Sequence, residues 1–328
     1  MLTPPPGLPE SALAAALERG WGLTVASMAY RPVGWGSHHW EVTDAAGARW
    51  FVTADELANK RLSGSEPLTA GLRRLCAALA AAMDLRAAGL TFVVAPVPAR
   101  DGGPLTRVAG VFGVAVYPFV AGQSFGWGES PPGHRRALLD MLIAVHTAPG
   151  VARRRALADD LTVPHRDTLE AALSAGAGGT GDCGPYARQA GRLIADHAAP
   201  LRRLLARYDD LARQARSRPD RAVLTHGEPH PGNTLLTDGG WRLIDWDMAL
   251  AAPPERDLWH LADPASLAAY ASATGVMPQP SLLEAYRLRW DIADIALDLG
   301  RFRRPHTGNE DDAKAWRVLI SIMDRLSN

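Results

Sequence analysis

Few of the features that would place this chain in a special class are present. It has two cysteines, Cys76 and Cys183, with no CxxC spacing. Neither a disulfide scaffold nor a cysteine-rich zinc site is therefore expected, and a reducing cytoplasm fits. Formal net charge is zero, 35 basic against 35 acidic residues, so charge balance favours neither nucleic acid nor an acidic membrane as a partner. The opening "MLTPPPGLPE" lacks the basic start and apolar run of a signal peptide. The most apolar long stretch, "LRRLCAALAAAMDLRAAGL", carries Arg73, Arg74, Asp84 and Arg86, and reads as an amphipathic helix, not a membrane span. No internal repeat is visible at periods of roughly 20 to 50 residues. What the chain does have is 328 residues, 47% of them hydrophobic, enough for a substantial core and two lobes.

Ser11 to Gly20 reads as a short helix. Strand-like runs follow at "LTVASMAYRPVG", "SHHWEVTDAAG" and "RWFVTADE", with "DAAGAR" as a hairpin connection. A helix is expected from about Leu68 to Ala88, stopped at Gly89. "TFVVAPVPA" and "LTRVAGVFGVAVYPFV" then read as further strands, separated by the turn "RDGG". After "YPFVAG", Ala, Leu and Arg recur at helical spacing, giving helices at Gly133 to Val145, Leu169 to Leu173, Tyr186 to Arg216, Ser281 to Gly300 and Lys314 to Leu326. "SAGAGGTGDCGP" reads as a flexible loop between helices. The expected fold is α+β: a β-rich lobe over 1–116, a connector over 117–122, and a mainly helical lobe over 123–328 that carries a β-hairpin insert.

The least ordinary stretch is "VLTHGEPHPGNTLL", Val223 to Leu236. Gly227, Pro229, Pro231 and Gly232 forbid a helix, so it reads as strand, loop and strand. Phosphoryl transfer needs a carboxylate to orient the attacking hydroxyl, and an amide with a second carboxylate to hold magnesium between phosphates. The kinase-type pattern H-x-D-x-x-x-x-N followed by an aspartate after a strand supplies those groups. Here His226, Glu228 and Asn233 keep that spacing, with glutamate in the aspartate position, and Asp245 follows in "LIDWD". His226 reads as a brace for the loop. The intervening Gly and Pro disfavour a zinc site built from His226 and His230, because such pairs use a helix. Arg256 and Asp257 of "PPERDL" read as a structural ion pair, and Trp241, Trp246, Trp259 and Trp290 as core candidates. Asp291, Asp294 and Asp298 share one helix face, which is either solvated or an acidic wall for a cationic substrate.

The motifs "LTHGEPHPGNTLL", "WRLIDWDMALAAPPERDL" and "YPFVAG" occur in the order found in the aminoglycoside phosphotransferase family, and the chain resembles that family over nearly its whole length. "IDWD" followed by "APPERDL" is similar to its spectinomycin phosphotransferase branch. The resemblance implies a protein-kinase-like two-lobe fold and an enzyme that uses ATP or GTP with Mg2+ to phosphorylate a hydroxyl of a small, cationic molecule such as an aminocyclitol or aminoglycoside antibiotic. It implies Glu228 as catalytic carboxylate and Asn233 and Asp245 as magnesium ligands. Tyr117, Phe119 and Val120 fall at the inter-lobe hinge that meets the adenine edge. "GWGSHH", with Ser37 and His38, falls at the hairpin that covers the phosphates.

The chain also departs from that pattern. Thr53 stands where the family carries its phosphate-binding lysine, and the helix that should hold the partner glutamate contains none. Lys60, Arg49 or the His38–His39 pair are the alternative sources of positive charge. Glutamate at 228 moves the carboxylate by roughly 1 Å, a displacement that can cost about 10²-fold in rate. Two other functions therefore stand beside the antibiotic kinase: a weak or inactive kinase-like binding protein, and a metabolic amino-sugar or amino-alcohol kinase.

Overall fold

The computed structural model describes residues 1–129, 131–176, 183–216 and 221–327. The chain begins α1 (Glu10–Trp21), β1 (Val25–Arg31), β2 (Ser37–Asp44), β3 (Arg49–Glu56), α2 (Leu68–Ala87), β4 (Thr106–Val108) and β5 (Phe112–Pro118). It continues β6 (Gln123–Ser124), α3 (His134–His146), α4 (Gly150–Arg155), α5 (Arg166–Ala175), α6 (Ala187–Asp196) and α7 (Ala198–Arg216). Then come β7 (Val223–Thr225), β8 (Thr234–Thr237), β9 (Gly240–Leu243), β10 (Leu250–Ala252), α8 (Glu255–Leu258), α9 (Pro264–Thr274), α10 (Pro280–Phe302) and α11 (Glu310–Ser327). Two compact units result. One comprises Met1–Lys60, Leu68–Asp159 and Asp220–Leu283, the other Arg61–Pro67, Asp160–Pro219 and Glu284–Asn328.

In the first unit, five antiparallel strands form a sheet in the order β1-β2-β3-β5-β4. Side chains alternate across it, as the two-residue period of a strand requires. Trp40 and Val42 of β2, Val52 and Ala54 of β3, and Val114 and Val116 of β5 pack with Leu13, Ala16 and Leu17 of α1 in one apolar cluster. Their neighbours point to the opposite face, where Leu57, Leu75, Leu79 and Ala115 join a second cluster that runs on to Leu142, Leu224 and Leu243. The register sets Ser37 opposite Asp55, and Thr53 opposite both His39 and Ala115. Ser37, Thr53, Asp55 and Tyr117 therefore lie on that second face.

The same unit holds two small sheets, β6-β8-β9 and β10-β7, the first containing the hairpin expected around "LIDWD". Residues 91–99 differ from expectation, since they form no regular strand. Pro96 and Pro98 lack amide donors, and only the isolated bridge of Val93 with Leu243 is left. The run after it splits into β4 and β5 because Ala109 and Gly110 both take positive φ, 49° and 74°, as a tight hairpin turn requires. Of the helices, α4, α8 and α9 were not expected from spacing. Helix α9 has a clear start, with the Asp263 side chain accepting from the Ser266 amide ahead of Pro264.

The second unit is helical. The single helix expected over 186–216 is two, α6 and α7, interrupted at His197. Pro200 explains the break: it cannot donate to the Asp196 carbonyl, and its ring crowds that turn. The centre of the expected flexible loop, 177–182, lies outside the described residues. Among the described residues no helix is long and apolar enough to cross a membrane.

Helix α2 passes unusually close to the turn that follows β3. A Cβ on Gly71 would lie 2.5 Å from the Leu57 carbonyl oxygen and 3.3 Å from the Lys60 carbonyl carbon. Gly71→Ala is therefore expected to lower stability by roughly 1–3 kcal/mol, the usual cost of overpacking a close contact. Urea denaturation reads this directly, and an unchanged midpoint would show that the turn is free to move.

Candidate active site

The stretch from β7 to β8 folds as a braced loop. Strand β7 ends at Thr225, and a single 3₁₀ turn over Pro231–Asn233 leads into β8. The Glu228 carbonyl accepts from the His230 amide and from the Asn233 side-chain Nδ2, both at 2.9 Å. Glu228 and Asn233 are thus tied together through the Asn233 side-chain Nδ2. Gly227 has φ of 106°, and a Cβ there would meet the Arg256 guanidinium at 2.6–2.9 Å. Only glycine fits that position.

Beneath the loop is a buried polar scaffold. Asp257, fully buried, accepts from the amides of His226 and Gly227 at 2.8 and 2.7 Å, and its Oδ2 meets His146 Nε2 at 3.1 Å. His146 Nδ1 in turn meets the Tyr270 hydroxyl at 3.0 Å. Burial opposes ionisation of Asp257, but the His146 hydrogen bond and the charges of His146 and Arg256 outweigh it and hold the carboxyl below its usual range. The expected ion pair of Arg256 with Asp257 takes another form. Arg256 donates to Thr225 Oγ1 and the Met248 carbonyl, so the two residues hold the loop through separate partners.

His226 connects this loop to the next. Its Nδ1 accepts from the Glu228 amide at 3.2 Å, so Nε2 carries the proton and donates to the Ile244 carbonyl at 2.8 Å. Burial lowers its pKa and keeps the ring neutral. The Ile244 amide donates to the Asn233 carbonyl at 3.0 Å. These bonds place Asp245 next to Glu228 and Asn233. Asp245 adopts φ of 64°, a left-handed conformation that aspartate tolerates better than most residues. Trp246 is fully buried and packs edge-on against the His226 ring, while Trp241 and Trp259 are partly buried against the same core.

The charges around Asp245 define the site. Burial, then the neighbouring carboxylates of Asp247, Glu228 and Asp55, push the Asp245 carboxyl well above its ordinary pKa, with Lys60 acting the other way. Lys60, one of two lysines in the sequence, is ion-paired with Asp247 and lies 2.9 Å from Asp55 Oδ1. Burial lowers its pKa, but Asp247 and Asp55 more than offset this and hold the ammonium firmly charged. Ser37 Oγ donates to the same Asp55 oxygen at 2.6 Å. Tyr117 is on this face too, its hydroxyl pKa raised by burial and by Asp55, Asp245 and Asp247.

Other expected site residues sit differently. His38 lies on the opposite face of the sheet from Ser37, 3% exposed, with Nδ1 at 3.2 Å from the Tyr30 hydroxyl and Nε2 at 3.6 Å from Glu56. Strand alternation separates it from Ser37, so the pair cannot act together on one ligand. The Phe119 amide donates to the Arg49 carbonyl at 3.2 Å, and the Arg49 guanidinium lies 3.6 Å over the Phe119 ring. Val120 follows, outside regular secondary structure, before β6.

Asp291, Asp294 and Asp298 of α10 do not form a solvated face. Asp291 and Asp298 are buried, and Asp291 is engaged by Arg325 at 3.0 Å and Arg287 at 3.3 Å. Burial, then Asp298 and Asp291, raise Asp294 to about 8, and burial raises Asp298 to about 7 despite Arg301. Among the described residues no group of three or more His, Cys, Asp or Glu side chains is arranged to hold a metal.

Two results are expected here. Asp257→Ala strips the acceptor from two buried amides, each costing roughly 1–3 kcal/mol when left unsatisfied, so denaturation should show a large loss of stability; a loss under about 1 kcal/mol would mean that the loop does not depend on the brace. Asp294 and Asp298 keep protons in the folded state that the unfolded chain releases near pH 4. Their contribution to stability is therefore complete below about pH 4 and is lost as pH rises toward 7–8. Melting temperatures measured from pH 5 to 8 should fall for the wild type relative to Asp294→Asn/Asp298→Asn, and parallel profiles would contradict the assignment.

Comparison with known proteins places this geometry in a family. The model of the phosphotransferase enzyme family matches residues 29–297. Protein StrN of Streptomyces griseus is 35% identical over 254 residues, 73% of this chain and 74% of that protein. The solved spectinomycin phosphotransferase APH(9)-Ia, in complex with ADP and spectinomycin, superposes with a TM-score of 0.70 at 16% identity over 97% of each chain. The GDP and kanamycin complex of APH(2")-IIia gives 0.56 at 13% identity, over 96% of this chain and 97% of that one. These likenesses establish a kinase-like α+β fold, with the antiparallel sheet toward the N-terminus and mainly helical structure toward the C-terminus. By the extent of the family match, the chain belongs to the phosphotransferase enzyme family.

Proposed function

We propose that this phosphotransferase moves the γ-phosphate of ATP or GTP onto a hydroxyl of a small amine-bearing molecule, an aminocyclitol or aminoglycoside antibiotic being the best fit. The observation that carries this is the convergence of Glu228, Asn233 and Asp245, tied through the bonds of Asn233 to Glu228 and of Ile244 to Asn233. In the reaction, the substrate hydroxyl oxygen bonds to the γ-phosphorus while the bond from phosphorus to the bridging oxygen of the leaving diphosphate breaks. Glu228 accepts the hydroxyl proton. Because the transition state is loose, orientation of the hydroxyl matters more than basicity, and a rigid loop that fixes Glu228 can use glutamate in place of aspartate.

The residues present fit a magnesium ion. Asp245 is open to solvent and feels the charges of Asp247, Glu228 and Asp55, so a divalent cation there would be favoured, and Asn233 Oδ1 would supply a second hard oxygen. Asn233 and Asp245 would hold the ion through hard oxygen ligands of the kind it takes. When bound it would neutralise charge developing on the phosphates. Ser37 and the Tyr117–Val120 segment are the proposed nucleotide side. The 1–116, 117–122 and 123–328 division is kept as the proposed lobe, hinge and lobe.

For the substrate, Asp294 and Asp298 are the proposed partners of a cationic amine. Asp291 is already engaged by two arginines, so its part is to hold Arg287 and Arg325. Support comes from the relatives' ligands, spectinomycin and kanamycin, both amine-bearing, and from carboxyls whose ionisation an arriving ammonium would favour.

Nucleotide consumption across aminocyclitols, aminoglycosides and amino sugars tests the function. With a productive substrate, Glu228→Gln should bind nucleotide as the wild type does but turn over at least about 10²-fold more slowly. Equal rates would remove Glu228 from the chemistry. An inert wild type across the whole panel would instead favour a binding protein.

A further inference from the structure

By the family resemblance Thr53 stands at the position of the phosphate-binding lysine, and α2 contains no glutamate. Three alternatives for the missing charge are separated by the geometry. Arg49 is held by Glu41, with Nε at 2.8 Å, and lies over the Phe119 ring. His38 is on the far face of the sheet. His39, on the correct face, has its pKa lowered to about 4 by burial and by the terminal amino group, so it is neutral at pH 7. Lys60 remains.

We propose that Lys60 is the cation that meets the nucleotide phosphates, that Asp55 is the carboxylate that holds it, and that Asp247 is a contact the ammonium exchanges for phosphate when nucleotide binds. The proposal rests on the nucleotide-dependent reading above. Three features support it. First, Lys60 comes from a built turn: the Leu57 amide bonds to Val111, the Asn59 amide to Glu56 and the Lys60 amide to Leu57, at 2.9, 2.9 and 3.3 Å. Second, that turn rests on α2 at Gly71, so a helix without a glutamate contributes a surface on which the lysine-bearing turn sits. Third, Asp55 lies two residues beyond Thr53, on the same face of β3, and its Oδ1 also accepts from Ser37. A carboxylate fixed by a hydroxyl and an ammonium can hold that ammonium as a partner glutamate would. Lys60 has three donors, so it can keep Asp55 and still reach a phosphate. Asp247 is two residues from Asp245, which brings the lysine to the proposed metal end of the site.

Isothermal titration with magnesium present tests this, using ADP or GDP, whichever the wild type binds more tightly, against the matching nucleoside. Lys60→Met should weaken diphosphate binding at least about 10-fold and leave nucleoside binding unchanged, because only the phosphates meet the ammonium. Lys60→Arg should recover part of the loss. Thr53→Val should change neither. A folded Lys60→Met protein that binds diphosphate like the wild type, or loses both ligands equally, would overturn the proposal while leaving the nucleotide-dependent function standing. A wild type that binds neither ligand would overturn both. If Lys60→Met does not fold, Asp247→Asn decides: with its competitor neutralised, Lys60 should bind the diphosphate several-fold more tightly, and weaker or equal binding would contradict the exchange.

Discussion

A lysine ammonium buried among carboxylates is the contact on which the rest of this site depends. Asp247, Glu228 and Asp55 raise the cost of ionising Asp245, and Lys60, paired with Asp247 and Asp55, is the protein's own counter-charge there. Two like charges about 4 Å apart repel by about 4 kcal/mol at an effective dielectric constant of 20. A cation paired with two of the carboxylates offsets repulsion of that order. The ammonium is itself placed by backbone: a hydrogen-bonded turn after β3, seated on a glycine of α2. If Thr53 stands at the family's lysine position, as the resemblance implies, the absence of both that lysine and a glutamate from α2 is one change in two parts, because a buried glutamate without its cation would be costly.

The loop that carries Glu228 and Asn233 is fixed by a second set of polar contacts. Asp257, His146 and Tyr270 hold the start of the loop, and His226 joins Glu228 to the strand end before Asp245. Asp257, His146, Tyr270 and His226 are all buried and bonded, which restrains the loop that carries Glu228 and Asn233. Phosphoryl transfer rewards that rigidity, since placement and electrostatics account for most of the catalysis. On the proposed reading, the same bonds are what would let glutamate take the aspartate's place at 228.

Local features of the site were legible from spacing. The His226, Glu228 and Asn233 pattern and the strand-end position of Asp245 depend on short-range geometry, and the loop's Gly and Pro residues announce its irregular backbone. What depends on distant contacts was not legible. Lys60 meets Asp247 across 187 residues, and His146 meets Asp257 across 111. Nothing local marks either lysine or histidine as a partner, although the scarcity of lysine and a glycine in α2 were available signals. The α10 aspartates were readable as one face, but whether that face is wet is decided by what packs on it. Pro96, Pro98 and Pro200 carried information on strand and helix breaks that apolar spacing alone obscures.

The most direct measurement is a crystal structure with magnesium and a non-hydrolysable nucleotide triphosphate. The account predicts the Lys60 ammonium within about 3 Å of a phosphate oxygen, the usual charge-assisted range, still bonded to Asp55 and withdrawn from Asp247, with the metal on Asn233 and Asp245. Lys60 still paired with Asp247 and another side chain on the phosphates would contradict it.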